Sequence, residues 1–261
     1  MHFLRLIATF LKVNLQMSLA YRSEAMIEIL LDLIWLGWEL LSIKIIFSNT
    51  TTLGGWGQGE LITLLGVLLM VNTFMAALIW PNTENFNTAV RDGSLDYTLL
   101  QPVNSMFLVT FSRITVWRIG DLIIAIILIT VGINMAGEVT TPLNVLTFVL
   151  LTISGANVIY SLWIVLIAFT FWFTKFDNNV TILQALADTG HYPATIYPFW
   201  LRFIVTFIIP IALATTIPVQ ALRGELNWVQ ILTFLGVSIV SVVVASQVWR
   251  FGIKLYSSAS S

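Results

Sequence analysis

Apolar stretches of about 20 residues recur along the chain, and short polar segments separate them. A helix needs about 20 apolar residues to cross the roughly 30 Å hydrocarbon core of a bilayer. The sequence meets this requirement at residues 25–47, 58–80, 112–135, 144–172 and 228–249. A further apolar segment at 200–219 is interrupted by Pro210 and Pro218. When that segment is counted, the pattern predicts six membrane spans in an all-α, polytopic membrane protein.

The N-terminal segment, residues 1–22, has a different pattern. Between residues 2 and 20, polar side chains recur every three or four positions and form one stripe opposite an apolar face. This spacing predicts an amphipathic helix lying in the membrane interface. The alternative interpretation is a cytoplasmic extension of the first span. At the other terminus, residues 253–261 form a tail that ends in small polar residues.

The distribution of Lys and Arg predicts the orientation of the chain. Cytoplasmic loops of membrane proteins carry an excess of basic residues. If the N-terminus is cytoplasmic, most basic residues fall on or near the cytoplasmic side, namely Arg5, Lys12, Arg22, Arg91, Arg113, Arg118, Lys175, Arg250 and Lys254. We therefore expect both termini in the cytoplasm, with residues 84–102 as the main cytoplasmic loop.

Composition supports a membrane protein and excludes several functions. Hydrophobic residues make up 58% of the 261 residues and charged residues only 10%, whereas soluble domains carry about 25% charged residues. With no Cys and two His, the sequence predicts no disulfide and no metal site. The phosphate-binding loop and the common hydrolase motifs are absent from the sequence. We therefore expect no catalytic residue and no cofactor on this chain, and no nucleic-acid partner.

The first span carries three carboxylates on one side. At about 100° per residue, these three residues fall within an arc of roughly 80° together with Glu24 and Trp35. The three are Glu28, Asp32 and Glu39. Carboxylates at membrane depth are costly and usually face protein or a water-filled cavity. They therefore predict either an acidic lining of a translocation path, attractive to cations, or pairing with neighbouring helices and headgroups. Asn72 in the second span and Tyr160 in the fourth are further candidates for the path.

Small residues in the fourth span, Ser154-Gly155-Ala156-Asn157, predict a close approach by another helix. In the loop between spans two and three, residues 84–91 predict a short helix, Asp92-Gly93-Ser94 a turn, and 95–102 a second apolar run. Apolar side chains in such a loop predict an exposed docking surface. The alternative is a linker that packs under its own bundle.

The same loop, F-x-x-x-V-R-D-G-S-L-D-Y-x-L-L-Q-P-V from Phe86 onwards, resembles the cytoplasmic loop of permease subunits of type-2 ABC exporters. Three further stretches resemble one subgroup of that class: LGGWG after the first span, HYPATIYPFWLRFIVTFIIPIALATTIP from His191, and WRFGIKLYSSASS at the C-terminus. The resemblance extends over essentially the whole chain, and the motifs occur in the same order and spacing.

The resemblance implies a single permease domain over 1–261. An interfacial elbow helix would precede six spans, and a coupling helix in the loop would dock onto a separate ATPase, which would bind ATP and Mg²⁺. The residues implied to contact the ATPase are Phe86, Val90, Arg91, Gly93, Leu95 and Asp96. The other expected partners are membrane lipid and a second permease, identical or paralogous, in the bacterial inner membrane.

The fifth span has two interpretations. Hydropathy favours residues 200–219 as the span. The resemblance favours a short spanning helix at 176–190, followed by a re-entrant hairpin at 200–219 that places Asp188 and His191 near the outer mouth. Both interpretations keep six crossings.

We therefore expect the transmembrane subunit of an ATP-driven exporter, which is not an enzyme by itself. Two rival functions remain open from the sequence: an ion-coupled secondary transporter that uses Asp32 and Glu39, and an intramembrane enzyme that processes lipids.

Overall fold

The computed structural model describes residues 8–16, 22–137, 139–172, 179–204 and 211–256. Helices make up 84% of the structure, and the described residues contain no β-strand. The helices are α1 (8–16), α2 (Arg22–Asn49), α3 (Gln58–Phe74), α4 (Trp80–Arg91), α5 (Leu95–Leu99), α6 (Ser105–Phe111), α7 (Ile119–Ala136), α8 (Pro142–Ala168), α9 (Asn179–Asp188), α10 (Phe199–Phe203), α11 (Ile211–Ala214), α12 (Thr216–Leu222) and α13 (Trp228–Leu255).

Four described helical stretches have the length and hydropathy to cross a membrane: Gln58–Arg91, Val116–Ala136, Pro142–Phe171 and Trp228–Leu255. They confirm four of the spans predicted from hydropathy. The helix α2 is 28 residues long and corresponds to the predicted first span. It carries more charges within its apolar part than the other four helices do, namely Glu28, Asp32, Glu39 and Lys44.

Glycines allow two pairs of helices to approach closely. A Cβ atom at Gly59 of α3 would lie 2.5 Å from the backbone nitrogen of Ala136, at the end of α7. In α8, a Cβ atom at Gly155 would lie 2.5 Å from the Cα atom of Ala214 in α11. The predicted close approach at the small residues of the fourth span is therefore confirmed. Backbone contact of this kind is typical of helices packed within membranes.

The bundle has two distinguishable ends. At the first, which we call the Trp56 end, the indole Nε1 of Trp56 donates to the hydroxyl of Thr195 at 3.1 Å. Arg223, after α12, lies over the Trp56 ring and pairs with Glu60 of α3 at 2.8 Å. At the second, the Phe86 end, α4, α5 and α6 lie against the ends of α8 and α13, where Phe86, Phe171 and Trp249 meet.

Residues 194–204 and residues 211–222 both make contacts at the Trp56 end. The guanidinium of Arg202 donates to the carbonyls of Ala194 and Thr195, which lie beside Trp56. Ala214 then packs on Gly155, about 20 Å along α8 from its start at 1.5 Å per residue. Leu222 is again at the start of α8, where its carbonyl accepts from Asn144 at 3.1 Å.

The described part of 200–219 is not one continuous helix, because α10 ends at Phe203 and Thr215 separates α11 from α12. These breaks interrupt the predicted apolar run, and both interpretations of the fifth span stay predictions. The helix α9 has 10 residues, and part of the alternative span at 176–190 lies outside the described residues. Of the predicted interfacial helix, 8–16 is helical, and the remainder likewise lies outside.

Candidate functional site

Pro81 sets the geometry of the long helix that reaches the Phe86 end. Proline has no backbone N–H, and its ring clashes with the carbonyl four residues earlier. Immediately before it, Met75–Ile79 form a π-helical turn, in which the amide of Trp80 donates to the carbonyl of Met75. The carbonyl of Ala77, which Pro81 cannot use, accepts from the amide of Thr115 at 2.9 Å. The bulge therefore attaches the segment before α7 to this helix.

Asn82 is a second anchor at the same place. Its side chain is fully buried, and its amide nitrogen donates to the carbonyls of Leu78, Thr110 and Arg113 at 2.6 to 2.8 Å. Its oxygen accepts from the Ser112 hydroxyl and the Arg113 amide. One side chain thus joins α4 to the break between α6 and α7. Asn82 is not among the residues predicted from the sequence, where its only signal is a polar residue after a proline in an apolar run.

The loop between the second and third spans has the predicted helix and turn, and the apolar run that follows begins with the short helix α5. The helix α4 ends at Arg91, and Gly93 has a φ angle of +72° in the turn before α5. No atom lies within 4 Å of a Cβ atom built on Gly93. The turn therefore requires glycine for its backbone conformation and not for space.

The apolar side chains of this loop face inward. Phe86, Val90 and Leu95 are 2%, 7% and 1% exposed, within the main hydrophobic core. The prediction that they form an exposed docking surface is wrong, because α4 and α5 turn this face towards α8 and α13. The alternative, a segment packed under its own bundle, accounts for these three residues. The exposed face carries other side chains, among them Tyr97 at 76% and Leu100 at 82% exposure.

An aromatic cluster joins the loop to two membrane helices. The ring centroid of Phe86 lies 5.6 Å from that of Trp249 in α13 and 5.7 Å from that of Phe171 after α8. Phe171 also lies 5.2 Å from Trp249 and 5.6 Å from Tyr256. These distances lie in the favourable range of 4.5–7 Å for aromatic pairs.

Further contacts tie the loop to the same helices. The indole of Trp163 in α8 donates to the hydroxyl of Thr83 at 2.6 Å, and that of Trp249 donates to Ser105 of α6 at 3.2 Å. Burial and the nearby carboxylate of Asp96 raise the pKa of Tyr256, just beyond α13. Asp96 of α5 therefore lies near the end of the last helix. Arg91, the remaining predicted contact, is exposed at the end of α4.

The predicted acidic side of the first span divides into two environments. Glu28 and Asp32 of α2 both pair with the guanidinium of Arg118, which also pairs with Asp121 of α7 at 3.2 Å. The Trp117 indole donates to Glu28 at 3.1 Å. Pairing with a neighbouring helix is the alternative that the sequence left open. The ion pair with Arg118 also engages Asp32, one of the two carboxylates that an ion-coupled transporter was expected to use.

Glu39 is placed differently, near the Trp56 end. One of its carboxylate oxygens lies 3.4 Å from Nδ1 of His191, in the turn after α9. The remaining candidates for the translocation path, Asn72 and Tyr160, do not lie beside Glu39. Asn72 is exposed on α3, and the hydroxyl of Tyr160 is 2.9 Å from that of Thr110. The structure therefore does not bring the five predicted path residues into one site. Within the described residues, no cluster of acidic residues or histidines is placed to bind a metal ion.

These features define a polytopic α-helical membrane protein. At each end of the bundle, specific polar or aromatic contacts hold the loops to the helices. The family model described as ABC-2 family transporter protein matches residues 33–260. The chain therefore belongs to the ABC-2 transporter family and is a transmembrane ABC transporter subunit. Proteins of this family are transport components and not themselves catalysts. No curated protein and no solved structure matches the chain.

Proposed function

We propose that the chain is the permease subunit of an ATP-driven exporter, and that residues 84–102 receive the movement of a separate ATPase. ATP and Mg²⁺ would be bound by that ATPase. Family membership supports an ABC ATPase as a partner in general. The observation that carries the proposal is the packing of Phe86 against Phe171 and Trp249. It joins the loop to the ends of two membrane helices.

Orientation is part of this proposal. We place the Phe86 end in the cytoplasm, because Arg91, Arg113 and Lys254 lie there and basic residues mark cytoplasmic segments. The chain then crosses the membrane six times. In this proposal the short segment 176–190 provides the fifth crossing, and 200–219 is re-entrant from the outer side. In this arrangement the protein is a single domain in a bacterial inner membrane, with both termini cytoplasmic.

The surface offered to the ATPase consists of exposed residues at the turn and along α5. Tyr97 and Leu100 are large apolar side chains with exposures of 76% and 82%. In water such side chains favour burial against a partner. Arg91 and Asp96 lie beside them and would set the register at the rim, where charge pairs contribute to specificity. Gly93 fixes the turn between α4 and α5.

Phe86, Val90 and Leu95 act from the inner face of the same segment. Because they are buried against α8 and α13, a displacement of α5 must either carry those helix ends along or open a gap in the core. Closely packed interiors resist such gaps, since each lost contact costs free energy. The three residues therefore transmit the movement rather than contact the ATPase.

In this proposal the N-terminal helix α1 is the interfacial elbow helix, and it lies close to the Phe86 end. The amide of Asn14 lies within 3.5 Å of the Ser112 carbonyl, and Phe10 lines a cavity that also borders Phe86. Leu11 and Leu15 are exposed, as expected for side chains that face lipid. Large exposed residues on α2 and α13, such as Trp35 and Ile239, would face lipid or a second permease, identical or paralogous.

The proposal is tested with the chain and its ATPase reconstituted together in liposomes. Tyr97→Ala should weaken recruitment of the ATPase, because it removes an outward contact. Phe86→Ala should leave recruitment intact and lower the transport obtained per ATP hydrolysed. It removes the inward contact of the loop with Phe171 and Trp249. If both variants recruit and transport as the unaltered chain does, residues 84–102 are a linker and the proposal fails.

A further inference from the structure

A cleft of 210 Å³ lies between α2 and the turn that follows α9, near the Trp56 end. The carboxylate of Glu39 and the imidazole of His191 line it, together with the aromatic rings of Trp38 and Tyr192. Leu61 and Leu65, from the first turns of α3, form its apolar wall. The cleft therefore combines one acidic group, one imidazole, two aromatic rings and an apolar surface.

The charge of Glu39 is the distinctive feature of this cleft. The other two carboxylates on α2, Glu28 and Asp32, are held by the guanidinium of Arg118. Within the described part of the chain, Glu39 pairs only with His191, whose imidazole balances a carboxylate only when it is protonated. A carboxylate at this depth is costly unless it faces a partner or water. A cation that enters the cleft would supply the missing charge.

The aromatic residues define which kind of cation fits. Trp38 is 63% exposed and Tyr192 48% exposed, although both line the cleft. Aromatic faces attract cations that shed water readily, and quaternary ammonium groups are recognised in this way. An inorganic cation would need several oxygen ligands, and Glu39 is the only carboxylate among the lining residues. The site is therefore suited to an organic cation with an apolar body.

We propose that this cleft binds a small organic cation, with its quaternary or protonated amine against Glu39 and between Trp38 and Tyr192. As a substrate site this rests on the proposed export function, because the Trp56 end is then the outer end. Binding of the cation does not depend on the export function, because all the lining residues of the cleft belong to this chain.

The test measures equilibrium binding of radiolabelled choline to the purified full-length chain in lipid nanodiscs. The unaltered chain should bind choline saturably, and the neutral isostere 3,3-dimethylbutan-1-ol should not compete. Glu39→Gln should weaken binding by about tenfold, as expected when a charged partner is lost. Trp38→Leu should weaken binding too, and because Trp38 is exposed it should do so without loss of folded protein. The matched control is Glu225→Gln, a carboxylate at the same end but outside the cleft.

Three results would overturn the site: no saturable binding, equal competition by the neutral isostere, or unaltered binding in both Glu39→Gln and Trp38→Leu. If Glu39→Gln is not recovered as folded protein, Trp38→Leu alone decides. No ATPase is present in this experiment. Lost binding with intact ATPase coupling therefore removes only the cleft, and failed coupling with intact binding removes only the export function.

Discussion

Single side chains at the Phe86 end hold segments that are distant in sequence. Pro81 frees the carbonyl of Ala77, which then accepts the amide of Thr115. Asn82 satisfies groups on both sides of the break between α6 and α7. Backbone groups freed from helices inside a membrane need such partners, because no water is available to replace them. Local chemistry thus fixes where α7 begins.

Replacement of Asn82 should therefore destabilise the fold. Asn82→Leu leaves the carbonyls of Thr110 and Arg113 without their side-chain donor, which costs about 1–3 kcal/mol for each group left unsatisfied. We expect a lower midpoint of thermal unfolding in detergent. Asn72→Leu, an exposed position on the same long helix, is the control and should change the midpoint little. Equal midpoints for the two variants would contradict the anchoring role.

Gly93 and Gly37 form a second matched pair. Both have free space around a built Cβ atom, but only Gly93 has a positive φ angle. Gly93→Ala should cost about 1–2 kcal/mol through backbone strain. Gly37→Ala, within α2, should be neutral or stabilising by up to about 1 kcal/mol. The midpoints of thermal unfolding of the two variants are compared with that of the unaltered chain. An unchanged midpoint for Gly93→Ala would show that the turn does not need glycine.

At the scale of elements, the Phe86 end is a junction of helix ends. The loop helices α4 and α5 lie against the ends of α8 and α13, and Phe86, Phe171 and Trp249 fill the junction. Each of these rings contacts the other two. A movement of α5 therefore reaches α13 through side-chain packing, without passing along the whole of α3.

Trp249 gives the prediction for this junction. Trp249→Ala removes a nearly fully buried indole, a change that typically costs 3–5 kcal/mol in a core. We expect reduced transport per ATP hydrolysed, measured as the ratio of the two rates in proteoliposomes. Trp249→Phe keeps an aromatic ring and should restore most of the ratio, although it loses the hydrogen bond to Ser105.

The control is Val243→Ala, on an exposed position of the same helix, where the ratio should not change. If Trp249→Ala yields folded protein with an unchanged ratio, α13 does not take part in coupling.

The sequence predicted the long helices well, because a run of apolar residues that crosses a membrane leaves a strong signal in hydropathy. It could not decide which surface the apolar face of α4 and α5 contacts. Phe86, Val90 and Leu95 have the same spacing whether they pack on a partner or on their own bundle. The pairing of Asp32 with Arg118 was also hidden, since the two residues are 86 positions apart.

At the scale of the whole molecule, the two ends carry different chemistry. Loop–helix contacts lie at the Phe86 end, whereas the cleft at Glu39 and the contacts of Trp56 lie at the other. The proposed export function uses this separation, because one end would receive the movement of the ATPase and the other would release the substrate. Cysteine labelling tests the orientation cleanly, since the chain has no native Cys.

Ser94→Cys should react with an impermeant thiol reagent only from the cytoplasmic side, and Thr51→Cys only from outside. Phe199→Cys distinguishes the two interpretations of the fifth span. It should react from outside if 200–219 is re-entrant, and from the cytoplasm if 200–219 is the span. Labelling of Phe199→Cys from the cytoplasm would overturn the re-entrant arrangement.

The most direct test of the central claim is photo-crosslinking between this chain and its ATPase. Benzoylphenylalanine placed at Tyr97 should give a crosslinked product with the ATPase, because this side chain is exposed on α5. The same probe at Phe199, which is 85% exposed at the Trp56 end, should give none. A product at Tyr97 alone is the result that the account predicts. No product at Tyr97, or equal product at both positions, would contradict it.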